Sequence, residues 1–520
     1  MLNVSTAASA EYAPQSPYLQ DPELNISLLL DLADFWMAAK DESNGGFFSY
    51  VNADGTPGGS EYRSWNAENP DCLAVDNYKS VTGQSRIAYL FARAFMLSGD
   101  TRYLALARHA LSFLYAHGWD EENGGWHFNL DQYGNLGSWL PQCFGWDPNT
   151  FKWGYQQLYP LVGIAAMCEA TGERDQPRSR PTAPVPLDWG WLEDGLAAYD
   201  NLYDYRRGYE GYYLEADLDW ANPRLKGFTT VVDSITTHAS AVYLLSGQLD
   251  HRQRLLALAN QAESHLVASM DEPSVLVGFP EQFDADWNID TQLATGDVGH
   301  VLKTAWVLGR AYLVSPRGRY RDGARKLVQE VWDKAYDHVN GGPFVQYNWQ
   351  TGEITEGKDY WMLEQGVMAG LVLRHIARDQ AEQDQYLQMA DESLTFYVDH
   401  LIDPALGGHW FRTNNDGSVI TDPTKGNVFD QGYHASELNY YTYLYGSLLY
   451  HHEPVTLFYL LSGGTRGEVI QLNPLEIERG LAITSVELNG RRFARFNGRD
   501  RTLSLPAGVA GVFKVTFELR

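Results

Sequence analysis

NGGFFSYVNADG, residues 44–55, returns as NGGWHFNLDQYG at 123–134, NGGPFVQYNWQTG at 340–352 and LGGHWFRTNNDG at 406–417. Two weaker versions, YEGYYLEADLDW at 209–220 and VGFPEQFDADWN at 277–288, fall in the long gap between the second and third. Counted from Gly45, Gly124, Gly211, Gly278, Gly341 and Gly407, the intervals are 79, 87, 67, 63 and 66 residues, close to two helices plus a loop. Such a period marks a repeat architecture, in which each unit buries its apolar face against the next.

The segments between the phrases carry apolar residues at three-and-four spacing, which predicts helices over 27–40, 82–97, 102–117, 152–169, 231–245, 252–270, 298–314, 320–335, 360–377, 385–400 and 431–450. Each Gly-Gly phrase, with aromatic alternation and a turn, reads as a short β-hairpin after a helix. The expected fold is therefore all-α dominated, an (α/α)6 barrel with hairpin loops, because six units close a ring. A solenoid of helix pairs is the alternative. After His452 the pattern changes: VTLFYLLSG, ITSVELNG and VFKVTFEL alternate apolar and polar residues between Gly and Asn turns, so a small C-terminal β appendage is expected. The division is an N-terminal extension at 1–24, a helical domain at 25–452 and a β domain at 453–520, with a Pro-rich loop inserted at 174–186.

Against 39 basic residues stand 66 acidic ones, a net charge of −27. That charge repels nucleic-acid backbones and anionic membrane surfaces, so neither is an expected partner. Cys72, Cys143 and Cys168 are too few and too scattered for a disulfide framework or zinc site. The first residues, MLNVSTAASAEYAPQSPYLQ, lack a charged start and an apolar run, which makes the cytoplasm the expected location. No closely spaced metal ligands and no phosphate-cradling Gly loop are visible, so no cofactor and no metal is expected. Oligomeric state is not legible.

Polar residues near predicted helix starts fall in KSVTGQSRIAYLFARAF at 79–95, DSITTHASAVYLLSG at 233–247, GDVGHVLKTAWVL at 296–308, KDYWMLEQG at 358–366 and KGNVFDQGYHASELNYY at 425–441. The order of Arg86, His238, the GH of His300, Trp361 with downstream Glu364, and the GYH of His434 resembles the N-acylglucosamine 2-epimerase superfamily over residues 25–450. That group includes cellobiose 2-epimerases, mannose isomerases and sulfoquinovose isomerases built on (α/α)6 barrels. The resemblance implies that Arg86 steadies an enediolate, that His300 and His434 are the acid/base pair, that His238 assists ring opening or orients the sugar, and that Trp361 stacks on it. The chemistry agrees: moving a proton beside a carbonyl needs a base near neutral pKa, a proton donor and a cation facing the oxyanion. Each residue also has a structural reading: Arg86 as an ion-pair partner, the histidines as hydrogen-bonded groups at helix starts, and Tyr360 and Trp361 as core. Glu364 has two candidate partners, Lys358 and a catalytic His.

The resemblance breaks where the family's GHxxE motif has a Glu and this chain has Lys303. A cation there lowers the basicity of the neighbouring imidazole unless Asp297 or Glu364 intervenes, and the usual His–Glu pairing is expected to be lost. Ser234, Val242 and Phe429 also replace family residues, Phe429 standing where a Trp is expected. Three functions compete. The first is a cofactor-independent sugar isomerase or 2-epimerase, with Lys303 serving an anionic substituent. The second is a glycoside hydrolase or lyase using two of Asp233, Asp297, Glu364, Asp430 and Glu437. The third is a saccharide-binding barrel without catalysis, against which the acid/base set argues.

Overall fold

The computed structural model describes residues 11–58, 78–136, 149–174, 187–420 and 425–520. Cys72, Cys143 and nearly all of the Pro-rich insertion lie outside them, as do residues 1–10 of the N-terminal extension. Cys168 is a buried free thiol.

Twelve helices carry the architecture: α1 (Leu24–Trp36), α2 (Val81–Ser98), α3 (Thr101–His117), α4 (Pro160–Thr171), α5 (Leu187–Tyr199), α6 (229–246), α7 (Leu249–Gln261), α8 (Val298–Val314), α9 (Gly318–Lys334), α10 (Tyr360–His375), α11 (Gln380–Phe396) and α12 (Tyr433–Tyr445). The even-numbered helices form an inner set. Helix α2 packs on α4, α4 on α6, α6 on α8, α8 on α10 and α10 on α12, and α12 packs back on α2. The odd-numbered helices lie outside: α1 bridges α12 and α2, α3 bridges α2 and α4, and α9 bridges α8 and α10. Inner helices are buried nearly all round, polar residues included, while an outer one such as α9 is amphipathic. Helix α5 is the element that periodicity missed. Its sequence LDWGWLEDGLAAY contains two glycines, and Gly195 lies against Leu161, where a methyl group would clash. No helix among the described residues is long and apolar enough to cross a membrane.

The Gly-Gly phrases are the tight turns at one end of the ring. Lys40 pairs with Phe47, Trp119 with Trp126, Tyr336 with Pro343 and Ile402 with His409 in antiparallel bridges across them. Gly45 and Gly46 both take positive φ, 83° and 69°, a conformation that strains any residue with a Cβ.

A second repeat, not apparent from hydrophobic spacing, staples each turn to the helix that follows. A buried lysine just before an inner helix reaches back to an aspartate and a turn carbonyl. Lys79 donates to Asp41 at 2.7 Å and to the Gly45 carbonyl at 2.6 Å. Lys152 reaches Asp120 and the Gly124 carbonyl, both at 2.6 Å, and Lys425 reaches Asp403 at 2.7 Å and the Gly407 carbonyl at 2.6 Å. Lys226 pairs with Asp204 at 2.7 Å, and Lys358 with Asp337 at 3.3 Å. The fourth unit breaks the pattern, because Gly296 stands where the lysine would be. A Cβ there would lie 2.4 Å from the Tyr347 hydroxyl and 2.8 Å from Glu281 Oε1.

Residues 455–519 form two small antiparallel sheets. One orders its strands Val455–Ser462, Ala510–Leu519, Leu481–Leu488 and Arg491–Arg492; the other orders Glu468–Gln471, Thr502–Leu505 and Phe496–Asn497. They cover the C-terminal ends of the inner helices, opposite the Gly-Gly turns. Phe458 packs over Gly99, and buried Glu476 accepts from Arg310 Nε at 2.8 Å.

Removing one partner of a buried ion pair strands the other charge, at a cost of about 3 kcal/mol or more. Lys152→Met is expected to lower stability by that amount, read from the denaturant midpoint, while a surface lysine changed in the same way leaves it nearly unmoved. Burial pushes the Asp120 carboxyl up, but Lys152 and Asn123 outweigh it and hold it at about 2; Asp41, held by Lys79, is likewise at about 2. Both folded values lie below the ordinary 3.8 of an unfolded aspartate, so this stabilisation is present above that pH and drains away as pH falls towards about 2. An acid titration of the unfolding free energy should show the loss in that window, and it should be smaller in Lys152→Met.

Candidate active site

A cavity of about 600 Å³ opens at the Gly-Gly end, within the range of small-molecule sites. Inner helices present their first turns to it: Arg86 from α2, Asp233 from α6, His300 and Lys303 from α8, Tyr360 and Trp361 from α10, and His434 from α12. Phe429, from the loop before α12, also lines it. Of the candidate site residues singled out in the sequence, His238, Glu364, Asp430 and Glu437 are absent from the lining.

His238 is 2% exposed and packed edge-on against Tyr199, with Nδ1 3.1 Å from Thr237 Oγ1. Burial first, and Arg254 second, hold it neutral with a pKa pushed down to about 3. It belongs to the packing behind the cavity wall. Ser234 bonds Tyr199 and Val242 is core, so neither substitution touches the lining.

Arg86 is buried against three phenol rings. Its guanidinium carbon lies 4.2 Å from the Tyr159 ring centroid, 5.4 Å from that of Tyr433 and 5.6 Å from that of Tyr155. Its one hydrogen bond among the described residues goes to the Tyr155 hydroxyl, at 2.7 Å, and it makes no ion pair among them. The ion-pair reading of Arg86 is thereby set aside.

Lys303 is differently placed. Its ammonium donates to Asp233 at 2.6 Å, so the charge is already met inside the protein. Arg412, at the rim, is likewise bound to Asp359 through both carboxylate oxygens.

The two cavity histidines are each held by a carboxylate on Nδ1, which leaves Nε2 for a ligand. His300 donates to Glu281 at 2.9 Å and stacks on Phe228, ring centroids 3.8 Å apart. His434 donates to Glu364 at 2.7 Å. Glu364 thus anchors a histidine, while Lys358 goes to Asp337. The expected loss of the His–carboxylate pairing at His300 is also corrected: Glu281 supplies what Lys303 displaced. Trp361 lies between the imidazoles, its ring centroid 5.3 Å from that of His300 and 5.8 Å from that of His434. Gly299 allows this, since a Cβ there would meet the Trp361 ring at 2.7 Å. Tyr360 turns its hydroxyl away to Asp430 at 2.7 Å, and Phe429 packs against Tyr155.

The two imidazoles are driven apart in pKa. Burial opposes charge on His300, but Glu281 and then Asp297 overcome it and raise its pKa above the ordinary value. Burial lowers that of His434, and Lys303, Arg86 and His300 push it further down. One site therefore biases one imidazole towards its charged form and the other towards its neutral form, the division of roles that proton transfer needs. Burial and Glu281 also push the Asp297 carboxyl up to about 6. Among the described residues, the donor atoms that could converge on a metal ion belong to Glu364, His434 and Glu437, all within 4.8 Å of one another.

The family described as N-acylglucosamine 2-epimerase (GlcNAc 2-epimerase) matches residues 232–437, the span that holds Glu281, His300, Trp361, Glu364 and His434. A cellobiose 2-epimerase of Eubacterium cellulosolvens is 21% identical over 419 residues, covering 75% of this chain and 90% of that protein. Over that span the chain resembles the N-acylglucosamine 2-epimerase family. The fold agrees. A D-mannose isomerase structure superimposes with a TM-score of 0.66 at 17% identity, covering 82% of this chain and 99% of that one. A cellobiose 2-epimerase from Bacillus thermoamylovorans B4167 gives a TM-score of 0.63 at 16% identity, covering 81% of this chain and 98% of that one. Arg86 and its tyrosine cage lie outside the span matched by the family, apart from Tyr433.

Sequence reasoning missed Glu281, Tyr155 and Tyr159. The signal for Glu281 was the broken register: Gly296, in place of a staple lysine, leaves room for that carboxylate. Glu281→Gln is expected to lower the His300 pKa by about one unit or more, the scale of losing one close opposite charge, read by NMR titration of the imidazole. An unchanged His300 pKa would contradict the assigned pairing.

Proposed function

We propose that this chain is a cofactor-independent carbohydrate isomerase or 2-epimerase, acting through an enediolate inside an (α/α)6 barrel that spans residues 25–452, with residues 453–520 as an appended β cap. The observation that carries the reading is the pairing of oppositely poised imidazoles with an uncompensated guanidinium in one cavity. His434, neutral, takes the proton from C2 of the open-chain sugar. Arg86 faces the oxyanion that develops. His300, charged and held by Glu281, returns a proton: to the opposite face of C2 it gives the epimer, to C1 the ketose. Asp297, whose carboxyl exchanges protons near neutrality, takes the ring-opening role that sequence reasoning gave to His238.

The relatives' names, cellobiose 2-epimerase and D-mannose isomerase, point to a reducing sugar. Lys303 and Arg412 are both committed to carboxylates, which supports a neutral sugar over one with an anionic substituent. The hydrolase or lyase reading finds little support among its five candidate carboxylates. Asp233 and Asp297 line the cavity, but Asp233 is bound to Lys303; Glu364 holds His434 and Asp430 holds Tyr360.

In D2O, a panel of neutral reducing mono- and disaccharides is expected to yield a member that gains deuterium at C2 as its epimer or ketose forms. His434→Asn should slow that exchange by about a hundredfold or more. Release of new reducing ends from a glycoside without C2 exchange would overturn the reading.

A further inference from the structure

Two carboxylates of facing helices meet behind His434. Glu364 of α10 and Glu437 of α12 are 0% and 2% exposed. Glu364 Oε2 accepts from His434 Nδ1 and from Gln365 Nε2, both at 2.7 Å. Its other oxygen, Oε1, and Glu437 Oε2 are shut off from solvent and have no hydrogen-bond partner among the described residues. Ionised carboxylates are acceptors only, so two buried ones side by side need something positive between them.

We propose that Glu364 and Glu437 hold one proton between them, and that it crosses from Glu364 to Glu437 as His434 becomes charged. This rests on the proposed role of His434 as the base. A divalent ion is the other candidate for the gap, but the positive charges of Arg86 and Lys303 already act on Glu364, which disfavours a second strong cation beside them.

Charged and titratable groups face the cluster from several helices. From α2 comes Arg86, and from α8 come Lys303, met by Asp233, and His300, met by Glu281. Asp430 has His409 3.4 Å away, and the phenols of Tyr360, Tyr397 and Tyr433, with Tyr89, Tyr159, Tyr441 and Tyr445 on the Glu437 side, also face it. In the resting site His434 is neutral with its proton on Nδ1, Glu364 is a carboxylic acid through Oε1, and Glu437 is ionised. When His434 Nε2 takes the C2 proton, the C–H electron pair passes into the enediolate facing Arg86. The acid proton then moves from Glu364 Oε1 to Glu437 Oε2, and the new imidazolium meets an ionised Glu364. The pair carries a single negative charge throughout; only its position changes. Glu437 is thus a positioning residue, acting through Glu364.

The test is Glu437→Gln. Its amide donates to Glu364 Oε1, so Glu364 becomes permanently ionised beside His434. Infrared spectroscopy with 13C-labelled glutamate should show a protonated carboxyl at neutral pH in the wild type, lost in Glu437→Gln and kept in Glu437→Asp. This readout needs no substrate. With an active sugar, the acid limb of the pH–rate profile should move up by about one unit or more in Glu437→Gln, with the rate at high pH within about twofold of wild type. A structural defect would lower the rate at every pH. The proposal falls if the wild type has no protonated carboxyl, if the band survives in Glu437→Gln, or if the purified protein holds an equivalent of divalent metal that the substitution removes. A band that behaves as expected in a protein with no C2 exchange on any sugar would leave the shared proton standing and remove its assigned use.

Discussion

The site is organised around a positive charge that the protein leaves unanswered. Arg86 is enclosed by the rings of Tyr155, Tyr159 and Tyr433 and bonded to one phenol. Phenol faces and a hydroxyl make a buried guanidinium tolerable, but they do not neutralise it. Every other side-chain cation facing the cavity among the described residues has a carboxylate: Lys303 has Asp233, Arg412 has Asp359 and His300 has Glu281. An oxyanion formed in the cavity therefore meets one preformed, desolvated counter-charge, and preorganised electrostatics of this kind commonly contribute more to rate enhancement than any other single effect.

Holding that arrangement is the task of the repeat. Five staples pin a turn, Gly-Gly in four of them, to the start of the next inner helix, and those helix starts bear the cavity residues. The fourth unit gives up its lysine for Gly296, and Glu281 and Tyr347 fill the space. The cost to that turn is partly offset by the Tyr347 hydroxyl, which donates to the Phe279 carbonyl at 2.7 Å. What the exchange provides is a carboxylate on His300, without which a buried imidazole would not hold its charge.

Much of this was legible in sequence because it is local or periodic. The Gly-Gly phrases fixed the unit length, and helix spacing located all the ring helices except α5, whose glycines and flanking insertion blur the period. Arg86, His300, His434, Trp361, Tyr360, Phe429 and Lys303 were all named, and all line one cavity. The rest depended on contacts that no spacing encodes. Lys303 was read as facing the ligand, but its partner Asp233 lies 70 positions away. His238 sits in a Thr-rich stretch that places it midway along α6, turned inward against Tyr199. Glu281 stood in the weakest of the six phrases, and its value appears only when the broken lysine register is placed beside His300.

The most direct test compares two ligands in two proteins: an aldonohydroxamate of the preferred sugar, which mimics the planar, negatively charged enediolate, and the corresponding neutral sugar alcohol. Calorimetry on the wild type should give the hydroxamate an advantage of about a hundredfold or more, and Arg86→Met should remove most of it. Equal affinities in the wild type, or a preference that survives in Arg86→Met, would contradict the central place given to that guanidinium.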